Sequence, residues 1–291
     1  MMGVKQRTKV AASRYRPDIV LATSPQACAP DSPLKVWILT GRRDLLMALW
    51  ALKSLIWSSK RNWDVWIADD GTLDASSRGL LMSHLCGAHI LESDEMTAST
   101  MAGLVEYPKC RALRNEYILA RKLFDPYFAI RSGRYLIMDS DILFFGDPCE
   151  IVDTLLEPQK QPNCFCRQAG VLSLFTPVEA KSLIHREVME DCNSGLSVIN
   201  KESIDLPLIE RALSETEALS GWRHILEQSI YALLSSRYGY RFLSPAYQVH
   251  MGSAKAPSEV ICTHYVATMR DQFYAQGVRY FQERWQLFGM K

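Results

Sequence analysis

No apolar run in this 291-residue chain approaches the ~18 residues a helix needs to cross a membrane. Charge of one sign is equally absent. With 33 basic and 32 acidic side chains the formal net charge is +1, so no overall field points to nucleic acid or to a strongly acidic partner. Zinc-type cysteine spacing is missing as well: of eight cysteines only Cys164 and Cys166 are close, and C-x-C is not a zinc knuckle. The opening MMGVKQRTKVAASRYRPDIV is basic but holds no apolar stretch long enough for a secretory signal. The expectation is a cytoplasmic protein with scattered reduced thiols. Internal repeats and low-complexity linkers are also lacking. Hydrophobic residues, by contrast, make up 48% of the chain, which excludes disorder and provides for one sizeable core.

Residues 1–34 mix charge, Ser, Pro and Ala without periodicity and read as a flexible arm, basic at first through Lys5, Arg7, Lys9, Arg14 and Arg16. From residue 35 the pattern changes. KVWILT (35–40) is short, apolar and β-rich, and DLLMALWALKSLIWSS (44–59) follows with helical spacing and a broad apolar face. WDVWIA (63–68), AHILES (88–93) and RYLIMD (134–139) read as further strands, and SSRGLLMSHLC (76–86) and RNEYILARKLFDPYFA (114–129) as helices. This alternation predicts a single α/β domain over 35–291, with a mostly parallel central sheet flanked by helices. Ligands of such sheets bind beyond the carboxyl ends of the strands. Thr40, Asp69, Asp70, Asp139 and Asp141 all fall at predicted strand ends and are expected to converge there.

The second half is less regular. Strands are predicted over 163–176, 194–200 and 259–266, and helices over 206–219, 222–237 and from about 271. In the last of these Tyr274, Val278, Phe281, Trp285 and Phe288 form an apolar stripe, with Arg279, Arg284 and Lys291 nearby. Packing onto the domain is the plainer reading of that stripe; peripheral contact with a membrane surface is the other.

The stretch YLIMDSDILFF (135–145) sets two carboxylates two positions apart inside an apolar run. Like charges that close repel, and burial makes ionising both costlier. A hard divalent cation with oxygen ligands removes the conflict. Manganese or magnesium keeps open positions for phosphate oxygens and neutralises charge as a phosphate departs. The alternative is a strand-end turn capped by Asp, but the flanking apolar residues leave these carboxylates few solvated places to go.

RYLIMDSDILFFGDPCEI resembles the D-x-D segment of retaining sugar-nucleotide glycosyltransferases, especially family 8, which includes glycogenin and the bacterial lipopolysaccharide galactosyltransferases. The order of short signatures fits from about residue 35 to 270. The resemblance implies an A-type glycosyltransferase fold and a manganese-bound (or magnesium-bound) nucleotide-sugar, with Asp139, Asp141 and the His264 of ICTHYV as metal ligands. It places Thr40 against the nucleotide and Lys122, in ARKLF, on the donor. Asn193 and Gly195 of DCNSGLSVIN match the family's Asn-x-Gly element beside the sugar. Glu227 and Gln228 of HILEQSIYAL stand where the family has Asp-Gln. The family's Lys-Pro-Trp is absent, and Arg270 is expected to take over its phosphate contact.

By the same resemblance, Glu227 would hydrogen-bond donor-sugar hydroxyls and Gln228 would lie near the anomeric carbon. As consecutive helix positions the two are expected to face different ways. Gln is a poor nucleophile, so return of the acceptor on the front face is expected rather than a covalent intermediate. Asp69 and Asp70 of IADDGT are expected either to hold the base or ribose or simply to form a turn with Gly71. The implied donor is a UDP-sugar, and the implied acceptor a glycan, a lipid-linked group or a protein.

Three other functions compete. A nucleotidyltransferase would want a Gly-rich, Arg-containing loop after the first strand, and LTGRRDLL has one Gly. A haloacid-dehalogenase-type phosphohydrolase would carry D-x-D-x-[TV] after its first strand, whereas here the motif follows about the fourth and Leu143 holds the last position. An inactive sugar-nucleotide-binding relative is the third.

Overall fold

The computed structural model describes residues 16–131, 133–157, 162–216 and 225–284. Strand β1 (Lys35–Thr40) is buried on both faces along most of its length, as an apolar run without alternation requires. Helix α1 (Leu45–Ser59) is more enclosed than a broad apolar face demands: only Leu46, Trp57 and Ser58 keep partial exposure, and Lys53 and Ser54 are fully buried with the rest. The alternation continues through β2 (Asp64–Asp69), α2 (Ala75–His84), β3 (His89–Leu91), α3 (Ser93–Gly103), α4 (Pro108–Glu116), α5 (Ala120–Ala129) and β4 (Arg134–Met138). Next come β5 (Ile142–Phe144), α6 (Cys149–Leu156), β6 (Asn163–Arg167), α7 (Pro177–Ile184), β7 (Cys192–Asn200), α8 (Leu206–Glu215) and α9 (Leu226–Tyr238). Three short strands, β8 (Tyr240–Phe242), β9 (Tyr247–Val249) and β10 (Cys262–His264), precede a helical segment over 270–283.

Seven strands form the central sheet in the order β8-β6-β7-β4-β1-β2-β3. All neighbours are parallel except β7, which runs against both β6 and β4. The mostly parallel sheet is therefore present, with one reversed strand inside it. A smaller sheet, β9-β10-β5, carries His264 antiparallel to the strand that follows the D-x-D, with His264 opposite Ile142. Separate hydrophobic clusters cover the two faces of the large sheet. The chain leaves β1 toward β2 and β3 on one side and returns to β4 on the other, so the crevice of such a sheet opens between the ends of β1 and β4.

Three expectations change. The predicted helix over 114–129 is two helices, because Tyr117 is extended (φ −129, ψ 109) and ends α4. The predicted strand over 163–176 stops at Arg167, where the chain turns through Gly170 at φ 81, whose N–H donates to Asp191 Oδ1. The flexible arm does not extend to residue 34. Pro17–Ala22 is a 3₁₀ turn with Val20 fully buried, Trp50 Nε1 donates to the Pro17 carbonyl at 3.0 Å, and Gln26–Ala27 pairs with Leu85–Cys86. Residues 1–15 of that arm lie outside the described residues. The described part of the C-terminal stripe packs onto the domain, the plainer of its two readings. Phe273, Tyr274, Val278 and Phe281 are buried, with Phe281 against Trp50, Trp57 and Phe145; Trp285, Phe288 and Lys291 lie outside the described residues. Among those residues no helix is long and apolar enough to cross a membrane. All eight cysteines are free thiols.

Candidate metal and donor site

The two carboxylates of the D-x-D sit just beyond β4. Asp139 N donates to the Gly195 carbonyl at 2.7 Å, which ties the motif to β7, and Tyr265 N donates to the Asp141 carbonyl at 2.8 Å, which ties it to the end of β10. His264 thereby comes to face both carboxylates: its Nε2 lies 3.0 Å from Asp141 Oδ1 and 3.8 Å from Asp139 Oδ2. One ligand atom from each of the three residues lies within 4.8 Å of the others. Neighbouring ligands on an octahedral ion with bonds of about 2.1 Å are about 3.0 Å apart and opposite ones about 4.2 Å, so these separations suit one manganese or magnesium ion.

The protons favour the same assignment. Asn193 accepts through Oδ1 from Gly195 N at 3.1 Å and donates through Nδ2 to Gln168 Oε1 at 2.6 Å, which fixes its amide orientation. The same Oδ1 is 2.9 Å from His264 Nδ1, so that nitrogen must be the donor. A neutral His264 then presents a bare lone pair at Nε2, with buried Asp141 Oδ1, which has no hydrogen-bond partner among the described residues, directly opposite. Two acceptors facing each other need a cation or a proton between them, and a metal-binding imidazole is held in just this way by a partner on its other nitrogen. The residues fit the ion.

Cations complete the site. Arg270 donates through Nε to Asp141 Oδ2 at 2.8 Å and reaches Asp44 at 3.3 Å, leaving Oδ1 of Asp141 turned to His264. Burial raises the Asp141 carboxyl, and the Arg270 guanidinium beside it opposes that rise. Lys122 on α5 donates to Asp139 Oδ1 at 2.9 Å and lies 3.8 Å from Glu227 Oε1. Burial lowers this amine, yet Asp139 and Glu227 more than compensate, and it stays protonated. Glu227 is raised by burial, an effect that Lys122 opposes.

Glu227 and Gln228 correct an expectation. They stand in the first turn of α9, and both reach the same residue: Ser194 Oγ donates to Glu227 Oε2 at 2.9 Å, and Ser194 N donates to Gln228 Oε1 at 3.1 Å. Consecutive helical residues converge here because Ser194, on the reversed strand β7, offers its side chain to one and its backbone to the other. Gly195 has a steric reason. A Cβ there would lie 2.2 Å from His264 Cε1 and 2.8 Å from Asp139 Oδ2, so only glycine lets β7 pass this close.

Asp69 and Asp70 stand apart from this cluster. Asp69 Oδ1 accepts from the N–H groups of Gly71, Thr72 and Leu73, and Oδ2 pairs with Arg78; Asp70 Oδ1 accepts from Thr72 N and Oγ1. These bonds build the turn after β2. Thr40 ends β1 with its carbonyl accepting from Asp70 N at 2.9 Å, and its buried hydroxyl has no hydrogen-bond partner among the described residues. Sequence reasoning missed Asp44, Gln168 and Ser194, which hold Arg270, Asn193 and the Glu227–Gln228 pair. Each is an ordinary polar residue at a loop or strand start, with no local pattern to mark it.

No family model and no curated protein sequence matches the chain. Solved structures do. Mouse xyloside xylosyltransferase 1 superposes with a TM-score of 0.52 at 11% identity, over 79% of this chain and 97% of that one. The galactosyltransferase LgtC, solved with donor and acceptor sugar analogues, gives 0.48 at 13% identity over 86% and 94%. GlyE, a glycosyltransferase of Streptococcus pneumoniae, gives 0.48 at 12% over 87% and 63%. Together, the strand order, the helices on both faces and the first of these superpositions give this chain the A-type glycosyltransferase fold.

Proposed function

We propose that the protein is a metal-dependent glycosyltransferase that moves a sugar from a nucleotide-diphosphate donor, a UDP-sugar, to a glycan-type acceptor with retention of configuration. The observation that carries this reading is the Asp139–Asp141–His264 cluster, with a bare imidazole nitrogen opposite an unpartnered carboxylate oxygen. Bound there, manganese or magnesium would neutralise a diphosphate as it leaves. The chain's own residues do the rest. Arg270 steadies Asp141 and offers its guanidinium edge toward phosphate oxygens. Lys122, kept protonated by two carboxylates, holds Asp139 in place and adds positive charge behind the departing group. Glu227 Oε1, buried and without a hydrogen-bond partner among the described residues, takes a donor-sugar hydroxyl. Gln228 cannot serve as a strong nucleophile, which favours attack by the acceptor hydroxyl on the face the diphosphate leaves, its proton passing to the departing phosphate.

The test is thermal stabilisation by UDP-glucose, UDP-galactose, UDP-xylose and UDP-N-acetylglucosamine, each with and without manganese, followed by mass-spectrometric assay of sugar transfer or donor hydrolysis. A manganese-dependent rise with one donor and release of UDP from it are expected. A rise without any turnover on a panel of acceptors or water would identify an inactive binding protein, and no rise for any donor would remove the reading.

A further inference from the structure

Asp44 stands at the N-cap of α1, where an aspartate ordinarily accepts from the backbone N–H groups of the first turn. Its side chain makes no such bond. Both oxygens are given to arginines instead. Arg43 forks onto them, Nε to Oδ1 at 3.0 Å and Nη2 to Oδ2 at 2.6 Å, and Arg270 Nη1 lies 3.3 Å from each. Arg270 also donates through Nε to Asp141 Oδ2 at 2.8 Å, so one guanidinium spans the two aspartates. Arginine and carboxylate commonly meet through two parallel N–H···O bonds, as Arg43 and Asp44 do. Arg270 does not meet Asp141 in that way. It takes Oδ2 only, and Oδ1 has no hydrogen-bond partner among the described residues.

The difference matters because Oδ1 is the oxygen that faces His264 Nε2 at 3.0 Å. A second Arg270 N–H on Oδ1 would set a donor against the lone pair that a cation needs. The guanidinium is rigid and planar, so anchoring Nη1 on Asp44 fixes how the Nε edge meets Asp141. We infer that Asp44 is a positioning residue for the metal site: by drawing Arg270 aside, it keeps Oδ1 of Asp141 open for the ion. This rests on the metal-site reading above. Arg43, whose own side chain is largely exposed, supports the arrangement by fixing both Asp44 oxygens. The missing cap bond at α1 is then explained, since the carboxylate is engaged across the crevice and not along its own helix.

The test is a double-mutant cycle on manganese affinity, read by isothermal titration. Asp44→Ser keeps a good N-cap residue but is too short to hold Arg270; Arg270→Met removes the guanidinium. Asp44→Ser alone should weaken manganese binding by about 10-fold, with a melting curve close to that of wild type because Asp44 caps nothing. In the Arg270→Met background the same change should alter affinity by less than about twofold, since no guanidinium is left to draw aside. Asp44→Asn, which keeps one acceptor oxygen at the same reach, should lose less than the serine variant, and it carries the same cycle if serine lowers the melting temperature. Equal losses with and without Arg270, or an asparagine loss as large as that of serine, would show that Asp44 acts through its charge and not through Arg270. No loss in Asp44→Ser would show that Oδ1 stays open unaided. Each of these overturns the inference and leaves the metal-site reading standing, whereas no manganese binding by wild type, alone or with UDP, would take down both.

Discussion

Asn193 was expected to lie against a sugar, yet both ends of its amide are taken within the protein. Its consequence is a tautomer: with Nδ1 of His264 committed as donor, Nε2 is free for an ion. Asn193→Leu should therefore weaken manganese binding by about 10- to 100-fold, the range for losing such an outer partner, as read by isothermal titration, while circular dichroism remains that of wild type. Gly195 is the steric counterpart. Gly195→Ala drives a methyl into His264 and Asp139, and overpacking of this kind costs about 1–3 kcal/mol. A lower melting temperature together with loss of manganese affinity is expected. An unchanged melting curve would show that His264 can move aside freely.

At the scale of elements, the interrupted helix is held together by a buried ion pair. Arg114 at the end of α4 donates to Asp125 of α5 at 2.6 and 3.0 Å, with Thr97 and Thr100 of α3 adding bonds to the same pair. Breaking one side of a buried pair costs about 3–5 kcal/mol because the other charge is stranded. Arg114→Met should lower stability by about that much in urea titration, and adding Asp125→Leu should recover most of the loss. A second buried cation ties α1 to the N-terminal segment. Lys53 donates to Thr23 Oγ1 and the Ser24 carbonyl, and its Nζ is 3.0 Å from His84 Nδ1. Burial pulls its pKa down to about 8 from 10.5. Below pH 8 folded and unfolded chains both carry the proton and the penalty is complete. Between pH 8 and 10.5 only the unfolded chain still holds it, so this group's contribution to stability rises with pH, by about 3 kcal/mol in total. The stability of wild type relative to Lys53→Met should accordingly increase across that window; a flat difference would mean the amine is not desolvated. Neither tie was readable beforehand. RNEYILARKLFDPYFA has unbroken helical periodicity, and the extended residue inside it is imposed by packing of its neighbours across 11 to 25 positions, not by a proline or glycine at the break.

Across the whole molecule, the strands and their carboxyl-end residues were legible because β1, β2 and β4 are buried on both faces and so leave apolar runs that nothing else explains. The D-x-D was legible for the converse reason, as charge where burial forbids it. The remaining site residues arrive from α5, β7, α9, β10 and the segment after it, and only the family resemblance pointed to them, since no local pattern says which lysine, late histidine or arginine folds back. The DDG stretch forms the turn that was one of its two readings, with Asp69 Oδ1 accepting from the three N–H groups that follow. The central claim is that Asp139, Asp141 and His264 share one divalent ion. The most direct measurement is titration of manganese into the protein, followed by electron paramagnetic resonance of the free ion, for wild type and for Asp141→Asn. One ion per chain in wild type, and at least a 100-fold weaker site in the variant with its fold intact, is the predicted result. Equal manganese binding by the two proteins, or none by wild type even with UDP present, would contradict it.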